Sequence, residues 1–260
     1  MQTKIIDFHT HPFYDEIDNQ APYGQYCNMT VESTRQICES LGVTTICGSV
    51  ICVKRGAGKN WDKIKEANDK ALKLREIYGD FYVPGFHVHP EYLEESIAEI
   101  DRMAKENVII MGELVPYFDG WDNYADDNFS LLLDEADKHN MIVSFHRMNN
   151  DSIDEMVKNH KQTVFVAAHP GYFEDFERHL ERFKMSENYY LDLSGGGISH
   201  YGMLRKAIDT VGADRIIFGS DFPCFSLAMY VGAILNEPLL TDTEKEKILY
   251  LNAKKLLNLE

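Results

Sequence analysis

The sequence predicts an α/β fold, a (β/α)8 TIM barrel. Apolar, β-rich runs alternate with amphipathic helical stretches along the chain, an alternation that builds parallel sheets. Eight such units fit into 260 residues, an ordinary size for one closed barrel. Histidines and carboxylates also close the apolar runs, where a barrel gathers its functional groups. A doubly wound open sheet is the alternative architecture. No linker, low-complexity segment or repeat interrupts the chain, so residues 1–260 read as a single domain.

The first strand reads from Lys4 through Asp7-Phe8-His9-Thr10-His11 and stops at Pro12. Residues two apart share a face of an extended chain, so His9 and His11 project together, with Asp7 behind them. Residues 13–29 form a long polar and aromatic connection. Thr30 caps a helix through about Ser40, and Val43 to Val53 is the second strand. After a loop at Gly56 and Gly58, Trp61, Ile64, Ala67, Ala71 and Tyr78 line one face of a long helix. Phe81 to His89 is strand three, followed by a helix with Leu93, Ile97, Ile100 and Ala104 inward. Strand four runs from Val108 to Val115, then Phe129, Leu132, Leu133 and Ala136 mark a helix. Met141 to His146 is strand five, and Ile153, Met156 and Val157 mark a short helix. Thr163 to His169 is strand six, stopped by Pro170-Gly171, and Phe173, Phe176, Leu180 and Phe183 give the next helical face. Tyr189 to Leu193 is strand seven, and Leu204, Ile208 and Val211 face inward from a helix. Arg215 to Gly219 is strand eight, and a final helix starts near Thr241.

Composition narrows the function. A net charge of −16 argues against a nucleic-acid partner. No stretch approaches the ~20 apolar residues that span a bilayer. The first residues lead directly into a strand, which suits a cytoplasmic protein. The five cysteines, Cys27, Cys38, Cys47, Cys52 and Cys224, form no Cys-x-x-Cys pair, against a disulfide framework or thiolate zinc site. Cys47 and Cys52 read as small core residues, while Cys224 packs or faces the pocket.

The strand ends carry the chemistry. They place His9, His11, Glu113, His146, His169 and Asp221 at the barrel mouth, each after an apolar run where an unpartnered polar group is costly. His-x-His alone is as consistent with one core and one surface histidine. Six donors at matched strand ends are not. Four imidazoles and two carboxylates suit a divalent metal, zinc first, with manganese, iron or nickel as alternatives.

These residues resemble the amidohydrolase superfamily, in particular its amidohydrolase-related branch. That branch includes aminocarboxymuconate-semialdehyde decarboxylase, aromatic-acid decarboxylases and dicarboxylate lactonases. The resemblance rests on Asp7-Phe8-His9-Thr10-His11, Phe145-His146, Ala168-His169-Pro170-Gly171 and Gly219-Ser220-Asp221-Phe222-Pro223. It extends to Asn252-Ala253-Lys254-Lys255-Leu256-Leu257 and covers essentially the whole chain. It implies metal ligation by His9, His11, His146 and Asp221, with Asp221 as proton shuttle. His169 would be a second-metal ligand or the group that holds and activates water.

Glu113 sets the expected metal count. Mononuclear decarboxylases of the branch need no strand-four carboxylate, whereas binuclear hydrolases of the wider superfamily bridge two metals there. The resemblance to the bridging form implies one site of His9, His11, Glu113 and Asp221, and another of Glu113, His146 and His169. A role for Glu113 behind a histidine ring is the alternative.

The expected activity is hydrolysis of a C–N or C–O bond in a small organic substrate, by metal-activated water with Asp221 as acid–base. The alternative is a metal-dependent decarboxylase or hydratase of an unsaturated or aromatic acid. A phosphoesterase or DNase, or a non-catalytic metal barrel, fits less well. His87 or His89, at the end of strand three, is a candidate substrate contact. Arg147 and Arg55 are candidate partners for a substrate carboxylate, or ordinary surface ion pairs. Ser194-Gly195-Gly196-Gly197 is a simple turn or a phosphate loop. Tyr14, Tyr23, Tyr26 and Trp121 line a pocket or pack on the rim. His139, His160, His179 and His200 are expected at the surface. The sequence does not fix the oligomeric state; the resemblance implies that a homodimer is one assembly open to the chain.

Overall fold

The computed structural model describes residues 4–15, 29–51 and 59–259. Eight parallel strands follow one another in chain order around a single sheet. They are β1 (Ile5–Asp7), β2 (Val43–Ser49), β3 (Tyr82–Phe86), β4 (Ile110–Leu114), β5 (Ile142–His146), β6 (Val164–Ala168), β7 (Tyr189–Asp192) and β8 (Ile216–Ile217). That sequential order is the (β/α)8 barrel and rules out the doubly wound sheet, whose strand order reverses at its middle. The first and last strands meet through Phe8 N–H donating to the Phe218 carbonyl at 2.9 Å. A parallel bridge between Thr10 and Phe222 continues the seam.

Alternation along the strands splits the core in two. Ile6, Cys47, Ile110, Ile142, Val166 and Ile217 form one cluster, joined by Ala253 of the C-terminal helix and by Leu257 just after it. Their neighbours on the strands, such as Ile5, Ile46, Val143, Phe165 and Ile216, pack in a larger cluster with helical residues including Leu74, Ile100, Leu133 and Phe183. Burying each such side chain contributes about 1.5–3 kcal/mol, which is what holds helices against strands.

The helices begin where local chemistry says they should. Thr30 caps Val31–Ser40 in a capping box with Ser33. Asn60, Asp126 and Asn149 cap Trp61–Tyr78, Asp127–Lys138 and Asn150–Asn159 through their side chains. Two features depart from expectation, and the last helix starts after Thr241 as expected. Phe173 is not on the inner face of its helix: it precedes Glu174–Met185 with φ 39° and is 78% exposed. Leu227–Leu235 is a helix that periodicity does not reveal, because it is apolar nearly all round and shows no stripe. The last helix runs from Asp242 to Leu256 with a π-helical turn at Lys247–Leu251. Cys47 is a buried core residue as expected, while Cys27 and Cys52 lie outside the described residues. Among the described residues, no helix is long and apolar enough to cross a membrane.

Candidate metal centre

The C-terminal ends of β1, β4, β5, β6 and β8 bring His9, His11, Glu113, His146, His169 and Asp221 together. The β1 extension is pinned to the β8 end. Asp221 N–H donates to the His9 carbonyl at 2.8 Å, and His11 N–H to the Phe222 carbonyl at 2.7 Å. Behind them, buried Asp7 accepts from Ser220 N–H at 3.0 Å and from the Ser220 hydroxyl at 2.5 Å. Glu113 sits in a bulge, where the β4–β5 register shifts between Met111 and Leu114. Gly112 makes that bulge possible: its φ is +116°, and a Cβ there would lie 2.0 Å from the Ser144 carbonyl oxygen. His169 and Asp221 hold φ of 67° and 60°, a left-handed conformation costing of order 1 kcal/mol, and such strain concentrates at working sites.

Glu113 is the hub. Its Oε2 is 3.2 Å from His9 Nε2 and 3.3 Å from His11 Nε2. Its Oε1 is 2.8 Å from His146 Nδ1 and 3.6 Å from His169 Nε2. On the first side, His9 Nε2 and His11 Nε2 are 3.3 Å apart, and Asp221 Oδ1 is 3.2 Å from His11 Nε2 and 3.9 Å from His9 Nε2. Donors held tetrahedrally at ~2.0–2.1 Å from zinc lie about 3.3 Å from one another. The spacing of this first set therefore fits a divalent ion. His9, His11 and Asp221 form one compact donor group, and Glu113, His146 and His169 a second. A cavity of about 30 Å³ opens onto His11, Glu113, His146, His169 and Asp221, with Ile51, Val115 and Phe118 as apolar walls. That is room for a few waters.

The electrostatics are those of a buried charge cluster. Burial opposes a charge on Glu113, yet the imidazoles of His9, His11 and His146 hold its carboxyl well below the usual range. Burial likewise opposes a charge on Asp221, but the hydrogen bond and charge of His11 lower its pKa. His11 is pushed up to about 9: burial works against its proton, and the hydrogen bonds to Asp221 and Glu113 outweigh it. His9 is raised well above its ordinary value against the same burial, by the charges of Glu113 and Asp192. His169 is lowered, chiefly by burial.

Two residues at the end of β7 escape a sequence reading. His9 Nδ1 lies 2.8 Å from Asp192 Oδ2, and His169 Nδ1 lies 2.9 Å from the Ser194 hydroxyl. Asp192 also closes an apolar run, as the six donors do, and a glycine-rich turn follows it. Those glycines serve close packing. A Cβ on Gly195 would lie 2.3 Å from His169 Nδ1, and one on Gly197 2.2 Å from the Gly171 carbonyl oxygen.

The remaining candidates scatter. His87 is buried beside the metal-centre residues. Burial first, then the neighbouring His11, lowers its pKa to about 4, so the ring is neutral. Asn68 bonds both its N–H and its carbonyl. His89 is turned into a cap: its Nδ1 accepts from Glu91 N–H at 3.1 Å, and its ring meets Tyr92 and Trp121 edgewise. The Arg147 guanidinium pairs with Asp175 and does not line the cavity. Arg55, Tyr23 and Tyr26 lie outside the described residues. Trp121 packs on Phe129 and Tyr124 at the rim. The expectation that His179 is a surface residue is wrong. It is 1% exposed and shares a 2.7 Å hydrogen bond with the Tyr189 hydroxyl, because it lies on the same inward stripe as Phe176 and Phe183.

The amidohydrolase family profile matches residues 6–259. No curated protein matches the chain by sequence. Among solved structures, 2,6-dihydroxybenzoate decarboxylase from Rhizobium has a TM-score of 0.74 at 15% identity, covering 99% of each chain. The 5-carboxyvanillate decarboxylase of Novosphingobium aromaticivorans, complexed with manganese and a nitrobenzoic acid, has a TM-score of 0.74 at 14% identity, over 99% of this chain and 96% of its own. A protein described as amidohydrolase II has a TM-score of 0.75 at 16% identity, over 98% of this chain and 100% of its own. At these identities the likeness is one of fold.

Proposed function

The chain belongs to the amidohydrolase family, and from that premise we propose that it is a metal-dependent hydrolase of a C–N or C–O bond in a small organic substrate. One observation carries the reading: the two oxygens of Glu113 face two different donor sets, His9 and His11 on one side, His146 and His169 on the other. A carboxylate so placed suits two ions, zinc by preference for these nitrogen and oxygen donors. His9, His11, Glu113 and Asp221 would hold one, and Glu113, His146 and His169 the other. A divalent ion there supplies Lewis acidity, which polarises a substrate carbonyl and makes a water acidic near neutrality.

The chain's own groups do the rest. Asp221 lines the cavity and is the base that takes the proton of the attacking water and returns it to the leaving group. Its Oδ1 sits 3.2 Å from His11 Nε2, so the same oxygen is oriented before substrate arrives. His169, held at Nδ1 by the Ser194 hydroxyl, turns Nε2 toward Glu113 and would hold the second ion there. Phe118, Val115 and Ile51 exclude bulk water from the reacting atoms.

A second reading has support of its own. Several of the structural neighbours are decarboxylases of aromatic acids, two of them holding manganese. A decarboxylase would use one ion, with Asp221 protonating the carbon that loses its carboxylate. The deciding experiment is metal counting on natively purified protein together with two assays. Hydrolysis is read on a panel of lactones, esters and amides, and CO2 release on hydroxylated benzoates. Two ions per chain and hydrolytic turnover are expected. One ion with CO2 release and no hydrolysis would replace the hydrolase by the lyase.

A further inference from the structure

We propose that Asp192 and Ser194 form one shared clamp that fixes the ring orientation and tautomer of His9 and His169 together, one histidine from each half of the metal centre. The inference rests on the metal-site reading above and adds positioning residues to it. Both residues are fully buried and neither lines the cavity, so each acts through the histidines it holds.

The direction of every hydrogen bond follows from one fact. The Ser194 hydroxyl donates to Asp192 Oδ1. Its proton is then committed, and only lone pairs remain for its other neighbours. His169 Nδ1, 2.9 Å from that oxygen, must donate to it. His9 Nδ1, 2.8 Å from Asp192 Oδ2 and 3.0 Å from the Ser194 hydroxyl, faces acceptors only and must donate as well. Both rings therefore carry Nδ1–H and turn Nε2 to Glu113, at 3.2 Å and 3.6 Å. Nε2 is then the atom that each ring offers to a metal.

The surroundings are shaped for this arrangement. Asp192 also accepts from Ser194 N–H at 2.8 Å, which locks the turn after β7. Gly195 leaves the space that the His169 ring occupies. Gly219 does the same for His9, since a Cβ there would lie 2.8 Å from His9 Cβ. The carboxylate serves both rings, whereas the hydroxyl is the sole link from it to the His169 ring. Losing the hydroxyl should free His169, and losing the charge should free both.

Nitrogen-15 NMR of histidine-labelled, metal-free protein tests this, with the His169 signal assigned by its loss in His169→Gln. The parent should show His169 protonated at Nδ1. Ser194→Ala should show a mixture of tautomers, and Ser194→Thr, which keeps the hydroxyl, should restore the parent signal. Zinc competition titrations should show roughly 10–100-fold weaker binding in Ser194→Ala, and weakening of every bound equivalent in Asp192→Asn. An unchanged His169 tautomer in Ser194→Ala overturns the clamp, whatever the zinc affinity. If Asp192→Asn fails to fold, Ser194→Ala alone carries the test. If the parent binds no zinc but Ser194→Ala still mixes the tautomers, the clamp stands and the metal-centre reading falls.

Discussion

Replacing Glu113 by Gln keeps the side chain's shape and removes its charge. The parent carboxylate has oxygens 3.2 and 3.3 Å from His9 and His11, and 2.8 Å from His146. A cation within that cage sits no more than a few ångströms from the charge. A unit charge pair at 4 Å is worth about 4 kcal/mol at an effective dielectric of ~20. Because each 1.4 kcal/mol is tenfold in affinity, the loss is about a thousandfold. Among the described residues, the donor group shared with His146 and His169 has no other carboxylate, so that half should empty first. Metal analysis after dialysis should show the ion count falling from two to one or none, and competition titration should show the weakened affinity. Circular dichroism checks that the variant is folded. If Glu113→Gln keeps the parent's metal count with affinity within about tenfold, Glu113 is not a ligand and the two-ion reasoning is refuted.

Other perturbations read other parts of the structure. Asp7→Ala takes the acceptor from the buried Ser220 hydroxyl at the β1–β8 seam and leaves Ser220 N–H only its 3.3 Å bond to the His9 carbonyl, and should cost about 1–3 kcal/mol in chemical denaturation. Gly195→Ala puts a methyl against the His169 ring and a side chain at φ +62°; zinc binding should weaken, with a stability loss of about 1–3 kcal/mol. Arg147→Ala breaks an ion pair with Asp175 in a half-exposed side chain, so stability should move by no more than about 0.5 kcal/mol. A tenfold rise in KM for that variant would show instead that Arg147 meets substrate. His179 is buried neutral, with burial as the first cause lowering its pKa from 6.5 to about 3. Its unfolded form binds a proton in that window and its folded form does not, so stability falls as pH drops below 6.5. At about pH 5 the effect is roughly 2 kcal/mol, and His179→Gln should flatten the acid limb of a stability profile.

What could be read from the sequence was decided by local cost. A histidine or carboxylate at the end of an apolar run is expensive unless something receives it, and that rule picked out His9, His11, Glu113, His146, His169 and Asp221 without any contact information. Caps such as Thr30 were legible for the same reason, since capping is settled within four residues. The clamp was not. Asp192 meets His9 across 183 positions of chain, and only barrel closure brings them together. The glycines at 195 and 197 looked like a turn or a phosphate loop because sequence records the missing side chain and not what fills the space. The sequence does not place His179, because a helical stripe through Phe176 and Phe183 passes between 179 and 180, and both turn inward. The all-apolar helix at Leu227–Leu235 carries no periodic contrast to detect.

The charges of the donors themselves set how such a site takes up an ion. Two buried carboxylates, Glu113 and Asp221, cannot stay ionised in a largely apolar surrounding unless positive charge sits between them. The same donors that suit a divalent ion raise the proton affinity of His9 and His11, the latter to about 9. Near neutrality, protons on these two rings therefore stand where a cation would. Loading a metal must expel them, so binding should release protons and strengthen as pH rises toward 9. His169 sits apart from this exchange, because burial keeps it neutral and Ser194 already accepts its Nδ1–H. The half of the centre around His9 and His11 is thus set by charge, and the half around His169 by hydrogen bonding. Acidification should empty the first through proton competition, whereas loss of Ser194 should weaken the second at any pH.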